Sequence, residues 1–163
     1  MAYDIYDASI PPLIHMLGGL SNILSKGEAH GGIDPSEARL APDMLPLKAQ
    51  VYIATDGAKG CGARLAGVEI PKFEDTETSF AELKARVAKT IDFLNTLDRK
   101  SFVGSENKEI VLKFPSVTFE FSGADYVGKF VLPNVYFHIT TAYGILRNAG
   151  VALGKGDYLG GQK

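Results

Sequence analysis

The stretch LPNVYFHITTAYGILRNAG, residues 132–150, decides the fold of this 163-residue chain. Together with the residues just before it, it carries two stripes at helical spacing. One is Leu132, Tyr136, Ile139, Tyr143 and Leu146; the other is Val127, Val131, Asn134, His138, Thr141 and Ile145, displaced by about 100°. A helix apolar on two stripes is expected to sit deep in a helical bundle, with Asn134 and His138 substantially buried. These two stand four residues apart, one above the other, so both side chains can aim at one point in the core. That geometry suits a metal or small-ligand site, but Asn is a poor ligand for transition metals. The helix is expected to begin near Ser122, with Asp125 in a capping-box relation, and to end at Asn148-Ala149-Gly150 with Arg147 near the negative end of its dipole.

Working outward, Ile10, Leu13, Leu17, Leu20 and Leu24 form a bundle-type stripe that predicts helix one from Ser9 to about Ser25. Pro11 and Pro12 fit its first turn behind a Ser9 N-cap, with an earlier, kinked start near Asp4 as the alternative. Residues 27–43, GEAHGGIDPSEARLAPD, read as a long connection with one helical turn after Asp34-Pro35. Helix two is expected from Asp43 or Pro46 to Ala66, capped by Gly67, on the stripe Leu47, Val51, Ala54, Ala58, Cys61 and Leu65. Gly57, Gly60 and Gly62 beside that stripe imply close approach of another helix or a ligand. Ser79 and Glu82 form a capping box opening helix three through Phe80, Leu83, Val87, Ile91 and Leu94. Alternation at Ile110, Leu112 and Phe114, then Val117, Phe119 and Phe121, predicts a hairpin turning at Pro115-Ser116 and lying against the helices. The tail VALGKGDYLGGQK is expected to fold back through Leu153, Tyr158 and Leu159.

Composition narrows the function classes. A chain of this length fits one domain over residues 1–163. With 45% hydrophobic and 22% charged residues it has an ordinary globular mixture, not that of a disordered or fibrous protein. A net charge of −2 without a Lys/Arg cluster gives no footprint for nucleic acid or anionic lipid. The segment MAYDIYDASIPPLIHML lacks the basic start of a secretory signal, and no apolar run approaches the roughly 20 residues of a membrane span. Cys61 is the single cysteine, so a cytoplasmic location is expected. Neither GAKGCG nor GVALGKG has the context of a phosphate loop, and no G-x-S-x-G, H-E-x-x-H or C-x-x-C is present.

Four segments carry a resemblance over nearly the whole chain: YDASIPPLIHML (residues 6–17), ARLAPDMLPLKAQVYIATDGAK (38–59), VEIPKFEDTETSFAEL (68–83) and PNVYFHITTAYGILRNAGVALGKGDYLG (133–160). On these the chain resembles a bacterial family of unknown function, the DUF family numbered nineteen ninety-three, placed with the DinB-like bundles. The resemblance implies an all-α, DinB-like four-helix bundle, often dimeric, with the small β-hairpin before the last helix. Better-known members of the group carry three His ligands for a divalent metal, one from helix two and two from a His-x-x-x-His step in the last helix, and have thiol-transferase or isomerase chemistry. Laid on this chain, the step matches Asn134 and His138, and Gln50 is the nearest candidate for the helix-two ligand. Two of the three positions therefore hold amides, which argues against the metal.

His138 has two readings, a satisfied core histidine or a ligand or general base with Asn134 and Gln50 around it. An Asn-His-Gln set can orient a small polar ligand without metal; Asp43 or Asp56 would be needed to complete a weak metal site. His15 and His30 read as surface residues, Cys61 as an inert buried thiol, and Tyr136 and Tyr143 as core aromatics. Thr140 and Thr141 are expected to bond back to the preceding turn. The acidic run FEDTET, residues 73–78, reads as charge complementing the dipole of helix three. Three functions follow as expectations. The first is a small-molecule-binding bundle with a degenerate metal site, needing no cofactor and lined by Gln50, Asn134 and His138. The second is a zinc- or nickel-dependent transferase or isomerase with His138 as the retained ligand. The third is a structural, partner-binding dimer. A homodimer is expected in any case.

Overall fold

Helix α1, Ile5–His30, is longer at both ends than its leucine stripe requires. A capping box starts it: Asp4 accepts from the Asp7 N–H, and the Asp7 carboxylate accepts from that of Asp4. Arg99 then bridges both carboxylates, with Nη1 2.8 Å from Asp7 and Nη2 2.8 Å from Asp4. Ser9 is thus not the cap; its hydroxyl donates to the Ile5 carbonyl inside the helix, and Pro11 and Pro12 lie within it. The far end runs past Ser25 because Gly27 lies against Leu146 and Phe80, and Glu28 pairs with Lys84. The connection keeps its single turn after Asp34-Pro35.

The computed structural model describes residues 3–160, and the other helices follow the sequence closely. Helix α2, Leu47–Ala66, buries its whole predicted stripe and ends on Gly67, whose left-handed φ of 73° suits a residue without a Cβ. Helix α3, Phe80–Asn95, opens on the Ser79/Glu82 capping box. Helix α1 packs on α3 and α5, and α2 packs on α5 and α3, around a core of Ile10, Leu13, Leu17, Leu20, Leu47, Val51, Leu83, Ile139 and Leu146. No helix of the described residues is long and apolar enough to cross a membrane.

Strands β1, Glu109–Lys113, and β2, Thr118–Ser122, pair antiparallel, with Ile110 opposite Phe121 and Leu112 opposite Phe119. Ile110 and Leu112 reach the core, and Phe119 and Phe121 lie within about 6 Å, ring to ring, of Phe130 on the next helix. The chain then turns helical in three joined pieces: α4, Gly123–Asp125, capped by Ser122; a π-helical stretch, Tyr126–Val131; and α5, Leu132–Asn148. Pro133 has no N–H and its ring crowds the carbonyl of Lys129, which accounts for the wider turn before it. The outcome is the all-α bundle with a hairpin before the last helix.

Helix α5 is not buried on both stripes. Its core face is Val135, His138, Ile139, Thr141, Ala142, Ile145 and Leu146, centred between the two, while Asn134, Tyr136 and Tyr143 are half-buried and Phe137 is exposed. The tail folds back through Val151, Leu153 and a short helix α6, Lys155–Tyr158, but Leu159 stays in solvent; residues 161–163 lie outside the described residues. Helix α6 is held on α1 by Asn22 donating to the Asp157 carbonyl and by a Lys26–Asp157 ion pair at 2.6 Å.

Two adjacent glycines of α1 have opposite surroundings. A Cβ on Gly18 would meet nothing, whereas one on Gly19 would stand 2.2 Å from the Tyr158 carbonyl oxygen. Gly18→Ala is therefore expected to stabilise the fold by about 0.5–1 kcal/mol. Gly19→Ala is expected to cost about 1–3 kcal/mol and to detach α6. Urea unfolding of both variants, with tryptic cleavage at Lys155 as the readout of detachment, checks this pair.

Candidate functional site

Helices α2 and α5 meet antiparallel, since Gln50 touches His138 while Gly57, seven residues on, faces Val135 and Asn134. A Cβ on Gly57 would lie 3.1 Å from Val135 Cγ2, so the close approach implied by the glycines of α2 occurs here. His138 and Gln50 are both buried. His138 Nδ1 lies 2.7 Å from Gln50 Oε1, and Gln50 Nε2 donates to the Leu45 carbonyl at 2.9 Å.

This chain of bonds fixes both ambiguous groups. A carbonyl only accepts, so the Gln50 NH2 must face Leu45 and its oxygen must face the histidine. His138 therefore carries its proton on Nδ1 and donates it, leaving the Nε2 lone pair free. Nε2 bonds to no other described residue, and no fully buried polar side-chain atom among the described residues lacks a partner, so Nε2 reaches the protein surface. Burial lowers the pKa of His138 below its ordinary 6.5, favouring the neutral ring. The ring of Phe137 stands edge-on to the imidazole at 5.2 Å. On the exposed side of α5 a groove of about 460 Å³ is lined by Leu40, Pro133, Tyr136, Phe137, Thr141 and Gly144.

The expected trio is thus brought together only in part. Asn134 faces α2 at Gly57, half-buried, and does not join the His138–Gln50 bond. The donor set does not suit the divalent metal that the resemblance implies. Gln50 spends its oxygen on His138, Asp56 is held by Arg86 and Lys59 on the opposite side of α2, and Asp43 is exposed in the connection. Among the described residues no three of His, Cys, Asp and Glu converge as a metal-binding group. Of the remaining candidates, His15 and His30 are exposed, and Cys61 is buried with its thiol pushed up to about 12 by desolvation. Thr141 bonds back to the Phe137 carbonyl as expected.

Sequence reasoning missed Arg86. Its guanidinium is buried between α2 and α3, and every donor is used: Nε on Thr55, Nη1 on the Glu74 carbonyl and Glu77, Nη2 on Asp56 and Asp75. The acidic run 73–78 thus wraps a buried cation instead of merely facing the helix dipole, while Phe73 packs under Lys59 and Lys89. The signal available in the sequence was a lone Arg on the apolar side of helix three.

With this geometry in view, comparison places the chain. The family model for a domain of unknown function (DUF1993) matches residues 5–159. The chain belongs to this family. A crystal structure of a DinB family member from Shewanella denitrificans is similar to it, with 37% sequence identity, a TM-score of 0.83, and coverage of 96% of this chain and 92% of that one. No curated protein matches it. The DinB-like placement read from the four sequence segments therefore holds for this DUF1993 chain.

Two outcomes follow for the DUF1993 site. The unfolded chain protonates His138 near pH 6.5 and the folded chain only at lower pH, so its stabilising effect is complete above that value and is lost as pH falls through the folded pKa. The thermal midpoint by circular dichroism should therefore fall further from about pH 7 to about pH 5 in wild type than in His138→Ala. Arg86→Met should cost roughly 1–3 kcal/mol by leaving Thr55, the Glu74 carbonyl and Glu77 without their donor, and nitrogen NMR should show weakened His138–Gln50 bonding in that variant.

Proposed function

We propose that this protein is a small-molecule-binding bundle in which neutral His138 is the recognition group. The observation that carries the reading is the Leu45–Gln50–His138 hydrogen-bond chain, which pins the Nδ1–H tautomer and leaves Nε2 as an acceptor at the surface. An acceptor held in one orientation, beside the exposed ring of Phe137, suits a ligand with an O–H or N–H donor on an aromatic body. Catalysis by an ion held at this site is not part of the reading, because the side chains around His138 are amides and aromatics.

The test uses simple phenols and aromatic amides as probes, followed by nitrogen-detected NMR of the His138 ring. Wild type is expected to show Nδ1 protonated and an Nε2 resonance that shifts on adding a donor-bearing probe but not its methyl ether. His138→Ala should lose probe binding while retaining its fold, and Gln50→Leu should weaken binding by about tenfold, the equivalent of one lost orienting bond. A proton found on Nε2, or indifference of that nitrogen to every probe, overturns the proposal. Elemental analysis of untagged protein, with zinc and nickel titrations, supplies a second check. Stoichiometric metal lost on His138→Ala would replace this reading with the metal-dependent one.

A further inference from the structure

The hairpin has one edge that is chemically complementary to itself. Phe114 and Val117 exchange two main-chain hydrogen bonds, Phe114 N to Val117 O at 2.9 Å and the reverse at 3.4 Å, closing the turn at Pro115-Ser116. Hydrogen-bonded and non-bonded pairs alternate along an antiparallel ladder. Leu112–Phe119 and Ile110–Phe121 are therefore the bonded pairs, and Lys113–Thr118, Val111–Glu120 and Glu109–Ser122 are not. It follows that the N–H and C=O groups of Glu109, Val111 and Lys113 point away from β2. Among the described residues no side chain or main-chain group outside the ladder bonds to them. A groove of about 260 Å³ lies beside this edge, between Glu109, Ile110 and Val111 on one wall and Ala63, Arg64 and Val68 on the other. Val111 and Val68 are 40% and 46% exposed.

We propose that β1 is a pairing edge for a second copy of this chain: two β1 strands associate antiparallel about Val111, joining two hairpins into a four-stranded sheet. The register follows from charge. Centred on Val111, it sets each Glu109 opposite Lys113 of the second copy, so two ion pairs flank a Val111–Val111 contact, all on the solvent face of the sheet. Ile110 and Leu112 point to the other face and stay in each core. Slipping the register by two residues sets Glu109 against Val111 and loses both ion pairs. The outer edge of β2 is excluded by the same logic, because pairing centred there opposes Glu120 to Glu120, and like charges directly opposite each other destabilise a sheet. The inference stands apart from His138 and does not depend on the function proposed for it.

The test is sedimentation equilibrium of the full chain across the micromolar range, with hydrogen exchange of individual amides. Wild type should dimerise, and the Val111 amide should exchange more slowly as concentration rises. Lys113→Glu replaces two attractive pairs by two repulsive ones and should weaken the dimer about tenfold; the exchange Glu109→Lys with Lys113→Glu should restore it. Val111→Pro removes an N–H that β2 does not use, so it should abolish the dimer while the helical circular dichroism is unchanged. A monomer at every concentration overturns the proposal. So does a dimer insensitive to Lys113→Glu in which the Val111 amide exchanges no more slowly, since that dimer would use another face.

Discussion

Arg86 is the constraint on which the arrangement of this bundle depends. A buried guanidinium is tolerated only when its charge and donors are matched, and here Asp56, Asp75, Glu77, Thr55 and the Glu74 carbonyl match them. Thr55 and Asp56 belong to α2, so the match fixes how α2 is rotated about its own axis. At about 100° per residue, Gln50 and Gly57 share one face of α2, and that face turns to α5 when Thr55 and Asp56 turn to α3. The aim of Gln50 at His138 thus follows from a charge cluster on the other side of the helix.

The two buried polar systems are built on different physics. Around Arg86, opposite charges compensate one another, and the strap of residues 73–78 is held down by that compensation together with Phe73 beneath Lys59 and Lys89. Around His138, no charge is supplied, the pKa is lowered by desolvation, and an amide fixes the tautomer. The first arrangement uses up all its donors and so offers none to a ligand. The second leaves one acceptor at the surface, and it is the one with chemistry to spare.

The described fold also separates core from margin in ways a stripe cannot. Helix α5 touches α1 and α2 but has solvent along its outer side, so the buried face lies between the two stripes, and Phe137, next to buried His138, is exposed. Helix α1 begins at Ile5 behind an Asp4 cap because Arg99, distant in sequence, clamps Asp4 and Asp7, and it continues to His30 because Gly27 is covered by Phe80 and Leu146.

What the sequence by itself determined is local or periodic: the stripes of α1 and α2, the Ser79/Glu82 cap, Gly67, the alternation of the hairpin, and the presence of His138 on an inward-leaning turn of the last helix. These depend on neighbours within a turn or a strand, where spacing dictates contact. The tertiary structure decided which polar groups bond. The family resemblance set Gln50 beside His138, but their hydrogen bond, like the contacts of Arg86 with Asp56 and of Arg99 with Asp7, joins residues far apart in the chain and depends on the rotation and depth of whole helices. Asn134 shows the same limit from the other side, since sharing a helical stripe with His138 placed it near the site while the packing of Gly57 and Val135 kept it out of the hydrogen-bond chain.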